Sequence, residues 1–377
     1  MRLVDTHEAS GYRLAQAVLD ANGRTLVAAN APLTGGLCDA LVRRGFLHVF
    51  VKDGVADDVV PADVLLPQTR SLALRTAHRA LERVRAGDDL PMDAIRAAVE
   101  AMLADLANAR DAVLEFSALR SASEYTYTHS VNVCVYSLLL ARALGYAASD
   151  LRLVGMGALL HDVGKVFCAD LCAKEGPLTA DEWVRMREHP VYGFEVLRRY
   201  RELHLFVAHM AFQHHERLDG SGYPRGISGE EILPCARIVA VADVYDALSA
   251  DRPYAPARSP VEAMAEVMRA AGSGLDPDVV RAFVRRMAIY PTGTLVVLSD
   301  GYIGVVTGQG THPQAPLVRR LGRADTREIL AAGAAVPVQA PLRIARTLSR
   351  LPQWLEKGLR ARPSEAAGQY PGLNGGT

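Results

Sequence analysis

The feature that most constrains the fold is a long central region, residues 121–288, which carries helix signals from end to end. Thr179 and Glu182 have the spacing of a capping box, in which each side chain hydrogen-bonds the backbone of the other. Glycines lie where helices are expected to end, at Gly145, Gly164 and Gly272. The pattern predicts an all-helical domain.

The flanking sequence predicts smaller units, so the fold class is mainly α with small mixed or β parts. An Asn22-Gly23 hairpin is expected near the start of the chain, and an Asp300-Gly301 hairpin is expected after the helical region. The predicted units are a small α+β N-terminal module at 1–67, a helical connector at 68–120, the helical domain at 121–288, a small β appendage at 289–345 and a disordered tail at 346–377.

The helical connector has an apolar face whose partner the sequence leaves open. Its second half places five apolar residues on one side of a helix, at Ile95, Val99, Met102, Leu103 and Leu106. Such a face packs either against a second copy, giving a homodimer, or within its own chain. Both alternatives stand at this point.

Composition excludes several classes of partner. Lys plus Arg equals Asp plus Glu at 42 each, so no overall field attracts a nucleic acid polymer or an anionic membrane. The sequence shows no expected signal peptide or membrane span. Its five cysteines form no CxxC pair, which favours reduced thiols and a cytoplasmic location.

Histidines and acids stand at unusual places in the helical region. His161 and Asp162 are adjacent in "LLHDVGK", and His214 and His215 precede a glycine-rich loop in "QHHERLDGSGYP". Asp243 lies in the apolar stretch "AVADVYDAL", where a buried acid is costly unless it is paired or bound to metal. Two more histidines accompany them, His129 in "YTYTHSVNV" and His189 in "REHPVYG". Each feature alone suits a polar helix end or a turn, but together they indicate a metal site.

These stretches resemble the HD-GYP family, a branch of the HD-domain phosphohydrolases. The similarity covers residues 121–288, and its motifs are specific as a set. The resemblance implies an HD-type helical catalytic domain and hydrolysis of cyclic di-GMP to pGpG or GMP through a metal-bridging hydroxide. The metal ligands that it implies are His129, His161, Asp162, His189, His214, His215 and Asp243.

The implied ligand set suits two divalent ions. Imidazole and carboxylate ligands favour Fe or Mn over Ca or Mg. Asp162 is expected to bridge the ions, with His129, His161 and Asp243 on one and the remaining histidines on the other. Asp162 and Lys165 are the expected catalytic residues. The expected substrate contacts are Lys165, Gly220, Gly222, Tyr223 and Arg252, with Tyr223 stacking on a base or bonding a phosphate.

Two departures from the family pattern affect the expected activity. Ala255 stands where many members have a basic residue, which removes one expected substrate contact. Tyr125 stands where some members have a third-metal glutamate, and Glu124 is one residue off that position, about 100° around a helix. The alternatives to a cyclic di-GMP phosphodiesterase are a phosphohydrolase for another nucleotide or cyclic dinucleotide, and a non-catalytic cyclic di-GMP receptor.

Overall fold

The architecture was analysed in a computed structural model of the chain. The described residues are 1–19, 25–44, 46, 48–54, 56–59, 64–108, 125–174, 176–249, 258, 260–310, 315–330, 333, 335–348 and 350–360.

The described part of the N-terminal module has a three-stranded antiparallel sheet, a separate two-stranded sheet and one α-helix. Its strands and helix are β1 Arg2–Asp5, β2 Arg13–Leu14, β3 Val18–Leu19, β4 Thr25–Val27, α1 Gly35–Arg43 and β5 His48–Lys52. The strand order is β1-β5-β2, and β3 pairs separately with β4. The predicted Asn22-Gly23 turn between β3 and β4 lies outside the described residues.

Helices form the centre of the molecule, as the sequence predicted. They are α2 Pro67–Ala86, α3 Met92–Asn108, α4 Tyr125–Ala143, α5 Ala148–Leu160, α6 Ala169–Cys172, α7 Ala180–Met186, α8 His189–Leu197, α9 Leu205–Gln213, α10 Pro234–Ser249, α11 Pro260–Arg269 and α12 Pro277–Val284. A 3-10 helix, Val163–Cys168, joins α5 to α6. The predicted capping box at Thr179 and Glu182 is formed. In the described part of the chain, no helix combines the length and hydropathy that a membrane span needs.

The apolar face of the connector packs within the chain. Ile95, Val99 and Met102 of α3 are buried in the same core as the central helices, together with one face of α2. This burial favours the intrachain alternative over a dimer built on the same face.

The C-terminal part is a five-stranded antiparallel sheet followed by a helix. Its elements are β6 Leu295–Leu298, β7 Tyr302–Gly308, β8 Leu317–Arg323, β9 Val336–Pro337, β10 Ile344–Leu348 and α13 Gln353–Arg360. The order is β10-β6-β7-β8-β9, and the predicted hairpin turns at Gly301, which has a φ of 86°. The prediction of a disordered tail over 346–377 is wrong for its described part, because Leu351 and Leu355 are buried against the sheet.

A short segment of the N-terminal module shares a hydrophobic core with the C-terminal sheet. Ala56 and Val59 are buried in a cluster with residues of β6, β7, β8 and α13. At its edge, Arg319 of β8 donates two hydrogen bonds to Asp58, at 2.8 and 2.6 Å. These contacts join two segments that the sequence analysis treated as separate units.

Candidate metal centre

Five helices bring the seven expected ligands together. His129 lies in α4, His189 begins α8 and Asp243 lies in α10, while His161 and Asp162 follow α5 and His214 and His215 follow α9. Six of the seven side chains are buried, and His215 is half-buried. Helix ends suit this role because the residue beyond the last turn can face a neighbouring helix without interrupting its own hydrogen bonds.

Asp162 lies between two groups of ligands. Its Oδ1 is 3.3 Å from His189 Nε2 and 3.6 Å from His214 Nε2. Its Oδ2 is 3.5 Å from Nε2 of both His129 and His161. The two carboxylate oxygens therefore face opposite sides, as the bridging arrangement requires.

Asp243 closes the second group from the α10 side. Its Oδ1 is 3.1 Å from His129 Nε2, and its Oδ2 is 3.6 Å from His215 Nδ1. The candidate ligand atoms form two sets, each within 4.8 Å: Asp162 with His189, His214 and His215, and His129 with His161 and Asp243. This division matches the one expected from the resemblance.

The imidazoles are oriented by hydrogen bonds on their far sides. Nδ1 of His161, His189 and His214 lies 2.7, 2.7 and 2.9 Å from the backbone carbonyls of residues 158, 186 and 211. A carbonyl only accepts, so each Nδ1 carries the proton and each Nε2 presents a lone pair to the centre. The backbone carbonyl three residues before each of these histidines therefore sets its tautomer.

These lone pairs need a cation between them. His189 Nε2 and His214 Nε2 are 3.4 Å apart, and neither carries a proton when Nδ1 donates to its carbonyl. Nε2 of His161 is buried without a hydrogen-bond partner among the described residues. Two facing lone pairs and a buried unpartnered nitrogen fit divalent metal ions.

The protonation states also suit metal ligands. Burial lowers the pKa of His161 to about 3 and holds the pKa of His215 well below its usual range. Burial raises the pKa of Asp162, but Lys165 and the surrounding histidines outweigh it and hold that pKa well below its usual range. Neutral imidazoles and an ionised carboxylate are the forms that bind metal.

His129 differs because two carboxylates flank it. Burial lowers its pKa, but hydrogen bonds to Asp243 and Asp246 outweigh this and raise the pKa to about 9. In the absence of another cation, the protonated ring therefore compensates the buried negative charge. A metal ion that binds here must displace that proton.

Two buried acidic residues next to the candidate ligands were missed at the sequence level. Asp246 is fully buried, and its Oδ2 lies 2.8 Å from His129 Nδ1. Glu216 is buried beneath the glycine-rich loop, where its Oε1 accepts a hydrogen bond from the backbone N–H of Arg225. The signal for Asp246 was its position three residues after Asp243, on the same face of the helix.

The expected substrate residues that are described lie around this cluster. Lys165 is partly exposed, and its Nζ forms an ion pair with Asp162 Oδ2 at 2.5 Å. Gly220 has a φ of 79°, which favours glycine. Arg252 and Ala255 lie outside the described residues, as do Glu124 and the side chain of Tyr125.

The loop after the paired histidines folds back on its own start. A Cβ on Gly222 would lie 2.4 Å from the backbone nitrogen of Arg217 and 2.5 Å from Cα of Glu216. Tyr223 stacks on His215, with ring centroids 4.6 Å apart and planes at 27°. The requirement for glycine at position 222 therefore comes from this fold-back within the loop.

The chain matches a family model and several known proteins. The HD domain model matches residues 103–279. Cyclic di-GMP phosphodiesterase PA4108 of Pseudomonas aeruginosa is 38% identical over 285 residues, covering 70% of this chain and 68% of that protein. The cyclic di-GMP phosphodiesterase response regulator RpfG of Xanthomonas campestris is 44% identical over 152 residues, covering 40% of each protein.

Another relative is named for a different substrate. The 3'3'-cGAMP-specific phosphodiesterase 3 of Vibrio cholerae is 38% identical over 170 residues, covering 45% of this chain and 37% of that protein. Among solved structures, Bd1817, a HDG"Y"P protein from Bdellovibrio bacteriovorus, has a TM-score of 0.46 at 16% identity, covering 74% of this chain and 97% of the other. The chain thus spans two thirds of PA4108 but well under half of RpfG and of the Vibrio enzyme.

PA4108 combines high identity with broad coverage of both proteins, and the match extends well beyond the helical domain. The chain belongs to the HD-GYP family of HD-domain phosphohydrolases and is a phosphodiesterase.

Proposed function

We propose that the protein hydrolyses cyclic di-GMP to pGpG or GMP with two divalent metal ions, Fe or Mn, held by the seven expected ligands. The observation that supports this most directly is the position of Asp162, whose two oxygens face two separate histidine groups. The cyclic di-GMP phosphodiesterases among the relatives support the substrate.

Each part of the site has a role in this proposal. Two divalent ions held by these ligands would activate a water for attack and would offset charge on the phosphate oxygens. Asp162 orients both ligand groups, and Lys165 releases its ion pair with Asp162 to contact a phosphate oxygen. Arg252 is proposed to hold a second phosphate with two donors. Because the attacking group is a water, the proposal requires no side-chain nucleophile.

A direct assay tests the proposal. Protein purified anaerobically and supplied with Fe(II) or Mn should convert cyclic di-GMP to pGpG or GMP. Asp162→Ala should abolish turnover and reduce bound metal. The matched control is Asp170→Ala, because Asp170 is exposed on α6 and its ion pair within the described part of the chain is with Arg185. If neither metal supports hydrolysis while cyclic di-GMP still binds, the protein would be a receptor. The absence of a basic residue at Ala255 is consistent with that outcome.

A second cyclic dinucleotide is the alternative substrate. The chain is 38% identical both to PA4108 and to the 3'3'-cGAMP-specific enzyme, over different lengths. The assay therefore includes 3'3'-cGAMP at the same concentration as cyclic di-GMP. A higher kcat/KM for 3'3'-cGAMP would replace the proposed substrate while keeping the reaction type.

A further inference from the structure

Two aromatic side chains form an exposed pair beside the metal-ligand cluster. Phe167 is 51% exposed and Tyr192 is 38% exposed. Their ring centroids are 5.4 Å apart, and their planes are tilted by 57°. Large apolar rings are usually turned inward, so a pair held at the surface next to a reaction centre indicates a binding role.

The two elements that carry the rings also carry metal-site residues. Phe167 follows Lys165 by two residues on the 3-10 helix, and Tyr192 follows His189 by three residues on α8. The elements touch at Gly164, where an added Cβ would lie 2.0 Å from the His189 carbonyl oxygen. The axial rise then places the Cα of each aromatic residue roughly 4–5 Å along its helix from the Cα of Lys165 or His189.

The tyrosine expected to stack on a base is already in contact with other groups. Tyr223 stacks on His215, and the guanidinium carbon of Arg187 lies 5.5 Å from the centroid of the same ring. Among the described aromatic residues around the centre, the exposed ring surface therefore belongs mainly to Phe167 and Tyr192.

We propose that Phe167 and Tyr192 form a stacking site for a purine base of the nucleotide substrate. The inference rests on the proposed function, because a phosphate at the metal centre places its attached base one sugar away. Lys165 contributes a positive charge on the phosphate side of the same 3-10 helix. Stacking on aromatic rings recognises the flat face of a base and tolerates different bases.

Calorimetry on metal-loaded protein tests this site by measuring the affinities of two matched ligands. GMP and ribose 5-phosphate share the phosphate and sugar, but only GMP carries the base. The wild-type protein should bind GMP more tightly. Phe167→Ala and Tyr192→Ala should each weaken GMP binding on the order of 10-fold and leave ribose 5-phosphate binding unchanged. Tyr192→Phe should retain the preference.

A matched control removes an equally exposed ring elsewhere. Phe206→Ala truncates a side chain that is 45% exposed on the first turn of α9, whereas His214 follows the opposite end of that helix. This variant should bind both ligands as the wild type does. Bound metal, measured in every variant, should be unchanged.

Several results would overturn the stacking site. These are no preference for GMP in the wild type, an unchanged preference in both alanine variants, or equal losses for the two ligands. Light scattering gives a further check. If the alanine variants lose self-association but keep the preference for GMP, the aromatic pair contacts a second copy of the chain and not a base. If cyclic di-GMP is not hydrolysed but the GMP preference requires both rings, the stacking site stands and the proposed function fails.

Discussion

At the residue scale, Asp246 controls His129 from the side opposite the centre. Its carboxylate lies 2.8 Å from His129 Nδ1 and is fully buried. An acceptor at this position keeps the proton on Nδ1 and leaves Nε2 for a metal ion. Asp246 is therefore a positioning residue that acts through the histidine.

Replacing Asp246 by Asn should weaken metal binding without removing a ligand. The amide can present its NH₂ group to Nδ1, which favours the wrong tautomer, so metal affinity should fall about 10- to 100-fold. Titration of metal-free protein measures this change, and circular dichroism checks the fold. Asp150→Asn, on the exposed first turn of α5, is the control. Unchanged metal affinity in Asp246→Asn would show that the hydrogen bond has no such role.

We expect the number of bound ions to depend on one position in α4. The described ligands form two sets, and Tyr125 stands one helical turn before His129. We expect two metal equivalents per chain in the wild type. Tyr125→Glu should add a carboxylate on the face of His129 and raise the count to three, as measured by elemental analysis. A third equivalent in the wild-type protein would contradict this helix-face prediction.

At the element scale, the 3-10 helix and α8 can approach each other closely because Gly164 has no side chain. Gly164 was expected to end a helix, but it lacks the left-handed φ of such an end. A Cβ would lie 2.0 Å from the His189 carbonyl oxygen and 2.5 Å from the Gly193 nitrogen. Glycine is needed for close approach between the two elements that supply Asp162 and His189.

Gly164→Ala should separate these elements and disturb the metal site. Overpacking of this kind costs about 1–3 kcal/mol, so both Tm and bound metal should fall. Gly36→Ala in α1 is the matched control, because its Cβ meets no atom within 4 Å and Tm should hold or rise. Normal metal content in Gly164→Ala would mean that the backbone relaxes without moving the ligands.

At this scale, local interactions were easier to predict from the sequence than contacts between distant elements. Features set by nearby residues were predictable, including the Thr179 capping box and the Gly301 hairpin. Asp243 was recognisable because an acid in an apolar helix needs a partner, whereas the full ligand set was implied by the resemblance to the HD-GYP family. Contacts between distant elements, such as Tyr223 on His215 or Gly164 against α8, depend on packing that local patterns do not encode.

At the scale of the whole molecule, the N-terminal module and C-terminal sheet are expected to stabilise each other. Val59 is buried in the core that also holds Leu355 and borders Trp354. The other tryptophan, Trp183, is exposed on α7, so Trp183→Phe leaves Trp354 as the only fluorescent indole in the chain.

In that background, Val59→Ala should lower the stability of the C-terminal sheet by about 1–3 kcal/mol, because it leaves a cavity in the shared core. Denaturant unfolding followed by Trp354 fluorescence measures the shift. Val184→Ala, an exposed position on α7, should leave the transition unchanged. A Trp354 transition that does not respond to Val59→Ala would show that the segment at 56–59 does not support the sheet.

The shared core also sets an order of events during synthesis. Residues 56–59 emerge from the ribosome early, but the first of their partners in this core, Leu295, is made about 240 residues later, roughly 12–48 s at bacterial elongation rates. In that interval the apolar side chains of Ala56 and Val59 lack this core, while the helices between have time to assemble. The nascent chain should therefore gain a metal-binding helical domain before it gains its final shape, with the sheet unit closing last.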